Sequence, residues 1–201
     1  MKIVGILGSP SASSRSSSLL QLSQSQLQVV ATRFHTIALR DLPAEALLHA
    51  QVQHPLIQQA LQEVQDAQVV LVATPIYKAS YSGLLKAFLD LLPQDGLRHK
   101  TVLPLATGGS IAHLLALDYA LKPVLSVLGA RDILDPVFAT DSQIPKHDTQ
   151  GYVPSLEVRE RVARSLQTLI DRVEEFQRQE DAARERDALL LRSRAMGAAP
   201  L

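Results

Sequence analysis

The sequence contains no cysteine. Disulfide bonds, thiolate metal ligands and a cysteine nucleophile are therefore excluded. A net charge is also absent, because 20 lysines and arginines balance 20 aspartates and glutamates. Without an overall positive field, the chain is not expected to bind nucleic acid or a membrane surface.

Long apolar runs are missing as well. The run after Lys2 ends at Gly8 and is too short for the core of a signal peptide, and no segment approaches the length of a membrane span. These absences predict a cytoplasmic protein. The 201 residues, 46% of them hydrophobic, predict one domain over residues 1–179. Residues 180–201 carry mixed charge and are interpreted as a C-terminal helix extension or tail.

The motifs of several common active sites are also absent. There is no Gly-x-x-x-x-Gly-Lys-Ser/Thr loop, and Gly5 and Gly8 do not complete the Gly-x-Gly-x-x-Gly motif of dinucleotide sites. The Gly-x-Ser-x-Gly elbow of serine hydrolases is missing too. The six histidines lack metal-ligand spacing, and no pair of carboxylates stands out. We therefore predict no metal site and no catalytic side chain.

What the sequence does contain is a regular alternation of short apolar segments with longer segments of helical periodicity. We predict strands over residues 2–7, 33–38, 69–74, 101–107 and 132–138, and helices over 17–28, 55–65, 83–92, 111–128 and 154–179. This α/β pattern predicts a doubly wound, five-stranded parallel sheet of order 2-1-3-4-5 with helices on both faces. Such a sheet binds ligands at the carboxyl ends of its first and third strands.

The first loop at that edge, residues 8–18, is rich in serine and includes Arg15. At the start of a helix, backbone N–H groups, serine hydroxyls and a guanidinium point toward one spot, as a phosphate monoester requires. Serines at a helix start also act as caps, and this alternative stays open.

The second and third loops favour a flat ring. In the second loop, residues 75–83, Pro75 fixes the backbone, Tyr77 offers a planar face and Gly83 permits close approach. A rigid turn with Tyr77 in the core is the alternative. The third loop, residues 108–110, begins with two glycines, where backbone can approach the edge of a ring. A ligand with a phosphate and a ring, and no protein acid or nucleophile beside it, carries the chemistry itself, and FMN fits best.

Several segments resemble the NAD(P)H-dependent FMN reductases of sulfonate assimilation. They are residues 8–18, 73–83, 89–93, 103–109 and 112–123, and the likeness covers about residues 1–145. The resemblance implies a flavodoxin-like fold, and FMN as a loosely held acceptor of hydride from NADPH or NADH. It also implies a homodimer or homotetramer. The partner would be an FMN-dependent alkanesulfonate or methanesulfonate monooxygenase that receives the reduced flavin.

The resemblance also assigns roles to individual residues. The flavin phosphate is expected on Ser9, Arg15, Ser16, Ser17 and Ser18, and the isoalloxazine ring on Pro75, Ile76, Tyr77, Lys78, Thr107, Gly108 and Gly109. In the sulfonate-linked members an additional tyrosine opens a π-bulge at a subunit interface beside the flavin. Tyr119 matches that position and is a candidate for control of flavin transfer. A buried aromatic between helices is the alternative for Tyr119.

Two other functions stay open. One is a quinone or azo reductase of the same fold that retains its FMN. The other is a non-enzymatic electron carrier of the flavodoxin type, although such carriers are typically strongly acidic and this chain has a formal net charge of +0. The sequence does not predict a preference between NADH and NADPH.

Overall fold

One main sheet runs through the centre of the molecule. The computed structural model describes the backbone of residues 1–197 and the side chains of residues 1–179 and 181–186. The strands are β1 (Lys2–Leu7), β2 (Arg33–Ala38), β3 (Val69–Tyr77), β4 (Ser80–Tyr81), β5 (Thr101–Gly108), β6 (Asp132–Ile133), β7 (Val137–Thr140), β8 (Lys146–His147) and β9 (Gly151–Tyr152). The α-helices are α1 (Arg15–Leu27), α2 (Ala44–Leu48), α3 (Pro55–Asp66), α4 (Gly83–Leu89), α5 (Lys122–Val127) and α6 (Leu156–Gly197).

The strand order of the main sheet is β2-β1-β3-β5-β6, and neighbouring strands in this series are parallel. This confirms the predicted order 2-1-3-4-5. The predicted fifth strand is divided, because β6 and β7 both pair with β5 and the chain leaves the ladder between them. Pro136 lies in the interruption and lacks the N–H that would continue the ladder.

Helices cover both faces of the sheet, as predicted. On one face α1 and α6 pack together, with Leu19 and Leu166 among the buried residues. On the other face α3, α4 and α5 pack, with Val64, Phe88 and Leu125 fully buried. Because both faces are covered, the strand side chains that point to either face are apolar.

The helix predicted over residues 111–128 is not continuous. Ile111–Leu114 forms a 3-10 turn, Leu117–Leu121 a π-helical turn, and α5 begins only at Lys122. Pro123 explains the change, because it has no N–H to donate to the carbonyl four residues earlier. The amide of Lys122 donates to the carbonyl five residues earlier, as in a π-helix.

The last helix, α6, passes through the predicted domain boundary at residue 179 without a break. Its contribution to the core ends at Val173, because no described side chain of the helix beyond that residue is buried. Helix α4 ends at Leu89 instead of the predicted residue 92. Among the described residues, none of the helices is both long and apolar enough to cross a membrane.

Candidate functional site

Three loops meet at the carboxyl edge of the sheet. Leu7 at the end of β1 lies beside Ala73 of β3, and Pro75 of β3 lies beside Thr107 of β5. The amide of Gly8 donates to the carbonyl of Ala73 at 2.8 Å, so the first loop leaves the sheet against β3. The structure therefore brings together the three loops that the sequence singles out.

The first loop is built on a capping box. Ser14 is the N-cap of α1, and its hydroxyl accepts from the amide of Ser17 at 3.1 Å. In return, the hydroxyl of Ser17 accepts from the amide of Ser14 at 2.9 Å. This reciprocal pair fixes the first turn of the helix. Ser17 therefore has the capping role that the sequence left open, and the sequence analysis missed Ser14 although its spacing from Ser17 is a capping signal.

Ser16 and Ser18 are also buried, and their hydroxyls have hydrogen-bond partners within the chain. Ser18 donates to the carbonyl of Arg15 at 2.8 Å, and the hydroxyl oxygens of Ser16 and Ser14 lie 3.2 Å apart. A serine has one hydroxyl proton. Ser18 can therefore donate to a phosphate only by giving up its bond to the Arg15 carbonyl.

Within the described residues, two backbone amides at the start of α1 have no hydrogen-bond acceptor. The amides of Arg15 and Ser16 have no acceptor within the described chain, whereas the amide of Ser17 is bonded to Ser14. Unpaired N–H groups at a helix N-terminus attract anions, and the helix dipole adds to this attraction. Ser9 is buried in the same loop, and its hydroxyl accepts from the amide two residues later. The loop therefore has the donors that an anion needs.

Arg15 is held on one side of its guanidinium. Its Nε donates to the carbonyl of Ile144 at 3.0 Å and to that of Asp141 at 3.3 Å, and lies 3.4 Å from the Asp141 carboxylate. The ring centre of Tyr152 lies 4.8 Å from the Arg15 Cζ. Both Nη groups lack a hydrogen-bond partner among the described residues. These two groups form the edge of the planar guanidinium that can donate two hydrogen bonds to a phosphate.

The second loop is a tight hairpin. It turns from β3 to β4 at Lys78 and Ala79, whose φ values are +49° and +61°. Residues other than glycine seldom adopt this left-handed conformation, and such strain is common at functional sites. Tyr77 is 51% exposed, so the alternative that places it in the core is wrong. Pro75 and Ile76 are buried in β3.

The third loop has open space at one of its two glycines. A Cβ on Gly108 would lie 3.2 Å from both His113 Nδ1 and Phe138 Cζ. A Cβ on Gly109 would have no atom within 4 Å. Thr107 is buried at the end of β5. A flat ligand therefore has room at Gly109, while Gly108 permits the close packing beneath it.

Tyr119 lies in the π-helical turn that the resemblance implies, and its side chain is 80% exposed. The alternative of a buried aromatic between helices is wrong. The π-helical turn packs beside β4, so it adjoins the second loop. Tyr77, Ile111 and Leu115 are also exposed. These four side chains are named here the apolar surface.

Ser82 joins the second loop to the first. It is the N-cap of α4, and its hydroxyl accepts from the amide of Leu85 at 3.1 Å. The same hydroxyl donates to the carbonyl of Gly8 at 2.6 Å. The sequence analysis missed this residue. A serine before an apolar helical segment indicates a cap, but the contact with Gly8, 74 residues away in the chain, is visible only in the structure.

Two titratable groups adjoin the second loop. Burial raises the pKa of the Tyr81 phenol above its ordinary value. The hydrogen bond to Asp90 raises the pKa of Lys86. Tyr81 therefore stays neutral and Lys86 stays charged near pH 7, and neither is suited to exchange a proton there.

Two large concavities contain none of the predicted site residues. One, of about 990 Å³, lies between α3 and residues 91–100, and the other, of about 670 Å³, lies beside Phe176 of α6. The size of a concavity does not by itself identify a functional site, and the unpaired amides of Arg15 and Ser16 lie in the first loop, outside both concavities. Within the part of the chain that the structure describes, no three His, Asp or Glu side chains are grouped so as to hold a metal ion.

The comparisons with known proteins agree on one family. The sequence model of NADPH-dependent FMN reductases matches residues 1–144. The chain is 55% identical to FMN reductase (NADPH) of Pseudomonas putida, over 72% of this chain and 73% of that enzyme. It is 48% identical to FMN reductase (NADPH) of Escherichia coli, over 79% of this chain and 84% of that enzyme. The chain belongs to the NADPH-dependent FMN reductase family.

Solved structures support the same assignment for this FMN reductase. The apo form of the NADH:FMN oxidoreductase EMOB matches with a TM-score of 0.74 at 39% identity, over 83% of this chain and 86% of that one. An FMN-dependent NADH-azoreductase from Bacillus anthracis matches with a TM-score of 0.57 at 15% identity, which shows the shared fold alone. The flavodoxin-like fold is therefore confirmed.

Family membership makes the chain an oxidoreductase that uses FMN with NADPH or NADH. It favours the enzyme over the electron carrier that the sequence left open. The site fits FMN, because the unpaired donors of Arg15 and Ser16 suit a phosphate, and the space at Gly109 and the exposed Tyr77 suit a flat ring. The individual contacts stay predictions.

Proposed function

We propose that this FMN reductase binds its flavin across the three loops and releases it after reduction. The observation that carries the proposal is a juxtaposition at one edge of the sheet. Unpaired amides and the Nη groups of Arg15 lie in the first loop, and open space lies at Gly109 in the third. The donors suit a phosphate monoester, and the space suits a planar ring.

The proposed contacts divide into two sets. The phosphate would be held by Ser9, Arg15, Ser16, Ser17 and Ser18, and the ring by Pro75, Ile76, Tyr77, Lys78, Thr107, Gly108 and Gly109. The strongest donors are the guanidinium and the helix amides, because the serine hydroxyls already have partners in the chain. Tyr77 offers the exposed aromatic face.

The residues of the chain hold the flavin in position for the reaction. FMN itself supplies the redox chemistry, as acceptor of a hydride from the reduced nicotinamide. The capping box of Ser14 and Ser17 and the tight hairpin at Lys78 and Ala79 hold two of the loops in shape before a ligand arrives. Loops that are already ordered lose little conformational entropy on binding. No side chain is assigned as an acid, because solvent can protonate reduced flavin.

We further propose that this reductase is cytoplasmic and that its reduced FMN passes to an FMN-dependent sulfonate monooxygenase. The relatives are FMN reductases, that is, enzymes whose acceptor is FMN itself. The sulfonate partner is supported by the resemblance of the sequence segments, among them the one that carries Tyr119. Tyr119 is proposed to control the transfer, because it is exposed in a π-helical turn beside the second loop.

The apolar surface is proposed to be covered by a second copy of the chain in a homodimer or homotetramer. Exposed large apolar side chains on adjoining elements are typical of an interface. Tyr77 lies in the second loop and Ile111 directly follows the third, so association at this surface would change access to the flavin. The apparent mass of the protein, measured with and without FMN, tests this.

Steady-state kinetics tests release against retention of the flavin. With FMN as the varied substrate, we expect a sequential pattern with NADPH or NADH, both of which should be compared. Ping-pong turnover with a quinone or azo dye, by a protein that stays yellow through purification, would instead support the reductase that retains its FMN.

Replacement of Gly109 by leucine is expected to weaken FMN binding at least about tenfold without loss of stability. A Cβ at this position meets no protein atom within 4 Å, and a leucine side chain would extend from it into the space proposed for the ring. The melting temperature of the apo protein should change by less than about 2 °C. Flavin fluorescence titration measures the affinity, and Gly109→Ala should have the smaller effect. An unchanged FMN affinity in Gly109→Leu would contradict the placement of the ring.

Truncation after Gln179 is expected to leave FMN reduction largely intact. This proposal follows the predicted division into residues 1–179 and 180–201, and Val173 is the last described residue of α6 that is buried. Turnover of NADPH with FMN, measured beside the full chain, checks it. A truncated protein that is folded by circular dichroism but has lost turnover would show that the C-terminal segment has a part in activity.

A further inference from the structure

A small hairpin lies against the first loop, just beyond the segment that the family's sequence model matches. It consists of β8 and β9, residues 146–152, whereas the family match ends at residue 144. A Cβ on Gly151 would lie 4.0 Å from the hydroxyl of Ser13 in the first loop. The next residue, Tyr152, lies against Arg15.

The environment of Arg15 fixes the orientation of its guanidinium. The carbonyls of Asp141 and Ile144 take the Nε hydrogen, and the Tyr152 ring lies 4.8 Å from Cζ. The ring packs in turn on the core shared by α1 and α6, which limits its own movement. One edge and the ring-facing side of the guanidinium are therefore occupied. The edge with the two Nη groups is the one left for a ligand.

We propose that Tyr152 is a positioning residue for the flavin phosphate, acting through Arg15. The inference rests on the proposed function, because it takes the phosphate to bind in the first loop. A guanidinium that is already oriented loses less rotational freedom when it binds a phosphate than the guanidinium of a freely moving arginine does. An aromatic ring also attracts the guanidinium through a cation–π interaction. The hairpin thereby tunes how tightly the phosphate is held.

A comparison of FMN with riboflavin tests the proposal. Riboflavin has the same ring as FMN but no phosphate, so its affinity reports on every part of the site except the phosphate contacts. We expect Tyr152→Leu to weaken FMN binding by about three- to tenfold and riboflavin binding by less than about twofold. Tyr152→Phe keeps the aromatic face and should restore FMN affinity. Both ligands are titrated into the apo protein by flavin fluorescence, without nicotinamide.

A control separates this effect from the general loss of an aromatic side chain. Phe176→Leu removes a ring on α6 beside the second concavity, away from the first loop, and should alter neither affinity. Thermal unfolding of each variant checks that it is folded. Tyr152→Met is the second variant if the leucine protein does not fold.

A double-mutant cycle with Arg15→Ala tests the path of the effect. If Tyr152 acts through Arg15, Tyr152→Leu should have no further effect on FMN affinity in the Arg15→Ala background. Equal losses of FMN and riboflavin affinity, or an unchanged FMN affinity in a folded Tyr152→Leu, would overturn the proposal. An Arg15→Ala protein with normal FMN affinity would instead overturn the phosphate placement itself, so the two failures are distinguishable.

Discussion

Arg15→Ala is expected to weaken FMN binding by about ten- to a hundredfold. The substitution removes a charge-assisted contact to the phosphate worth about 1.5–3 kcal/mol. The contact is possible because Nε alone bonds to the protein, through Asp141 and Ile144, and the Nη side is unpaired among the described residues. Riboflavin, which lacks the phosphate, should bind nearly as well as to the wild type. Fluorescence titration of both flavins measures the difference.

Two further variants make the Arg15 result specific. Arg15→Lys keeps the charge but loses the planar fork, so its FMN affinity should lie between those of the wild type and the alanine variant. Arg33→Ala removes an arginine at the amino end of β2, at the opposite edge of the sheet, and should leave the affinity for both flavins unchanged. If Arg15→Ala leaves FMN affinity unchanged, Arg15 has only the structural contacts to Asp141 and Ile144.

Gly8→Ala is expected to lower the free energy of unfolding by about 1–3 kcal/mol, which corresponds to a fall in melting temperature of about 2–12 °C. A Cβ on Gly8 would lie 2.9 Å from Leu85 Cβ and 3.1 Å from Ser82 Oγ. Both atoms belong to the start of α4, whose cap donates to the Gly8 carbonyl. The added methyl group would therefore separate the first loop from the second.

The matched control for Gly8→Ala is Gly83→Ala. A Cβ on Gly83 meets no atom within 4 Å, and the residue lies in the first turn of α4, where alanine is the better helix former. Its melting temperature should be unchanged or higher. Thermal unfolding of the two apo proteins, followed by circular dichroism, gives the comparison. Equal stability of Gly8→Ala and the wild type would show that the contact between the loops contributes little.

The secondary structure was only partly predictable from the sequence. The strands were predictable because runs such as residues 69–74 are apolar throughout, which a parallel sheet with two covered faces requires. The break at Pro136 was not predicted, and the π-helical turn before Pro123 was implied by the resemblance alone, since the periodicity predicted a continuous helix over residues 111–128. Both follow from the missing proline N–H. Their exact form depends on the partners that the neighbouring carbonyls find in the folded chain.

The residues of the candidate site were also only partly predictable from the sequence. Arg15 and the serines were singled out because residue type and position at a helix start already specify anion-binding chemistry. Ser82, Asp141 and Tyr152 were missed, because each reaches the first loop from a distant part of the chain. The exposure of Tyr77 and Tyr119 also had to be observed, since an aromatic residue in a loop or helix is compatible with either a core or a surface position.

The sequence by itself determined the order of strands and helices, the edge of the sheet where ligand chemistry collects, and the family whose motifs it carries. These depend on periodicity and on residues close together in the chain. The tertiary structure alone decided which donors are still unpaired, which side of Arg15 faces a ligand, and which glycine has space above it. Those properties depend on contacts between segments far apart in sequence, and such contacts exist only once the chain has folded.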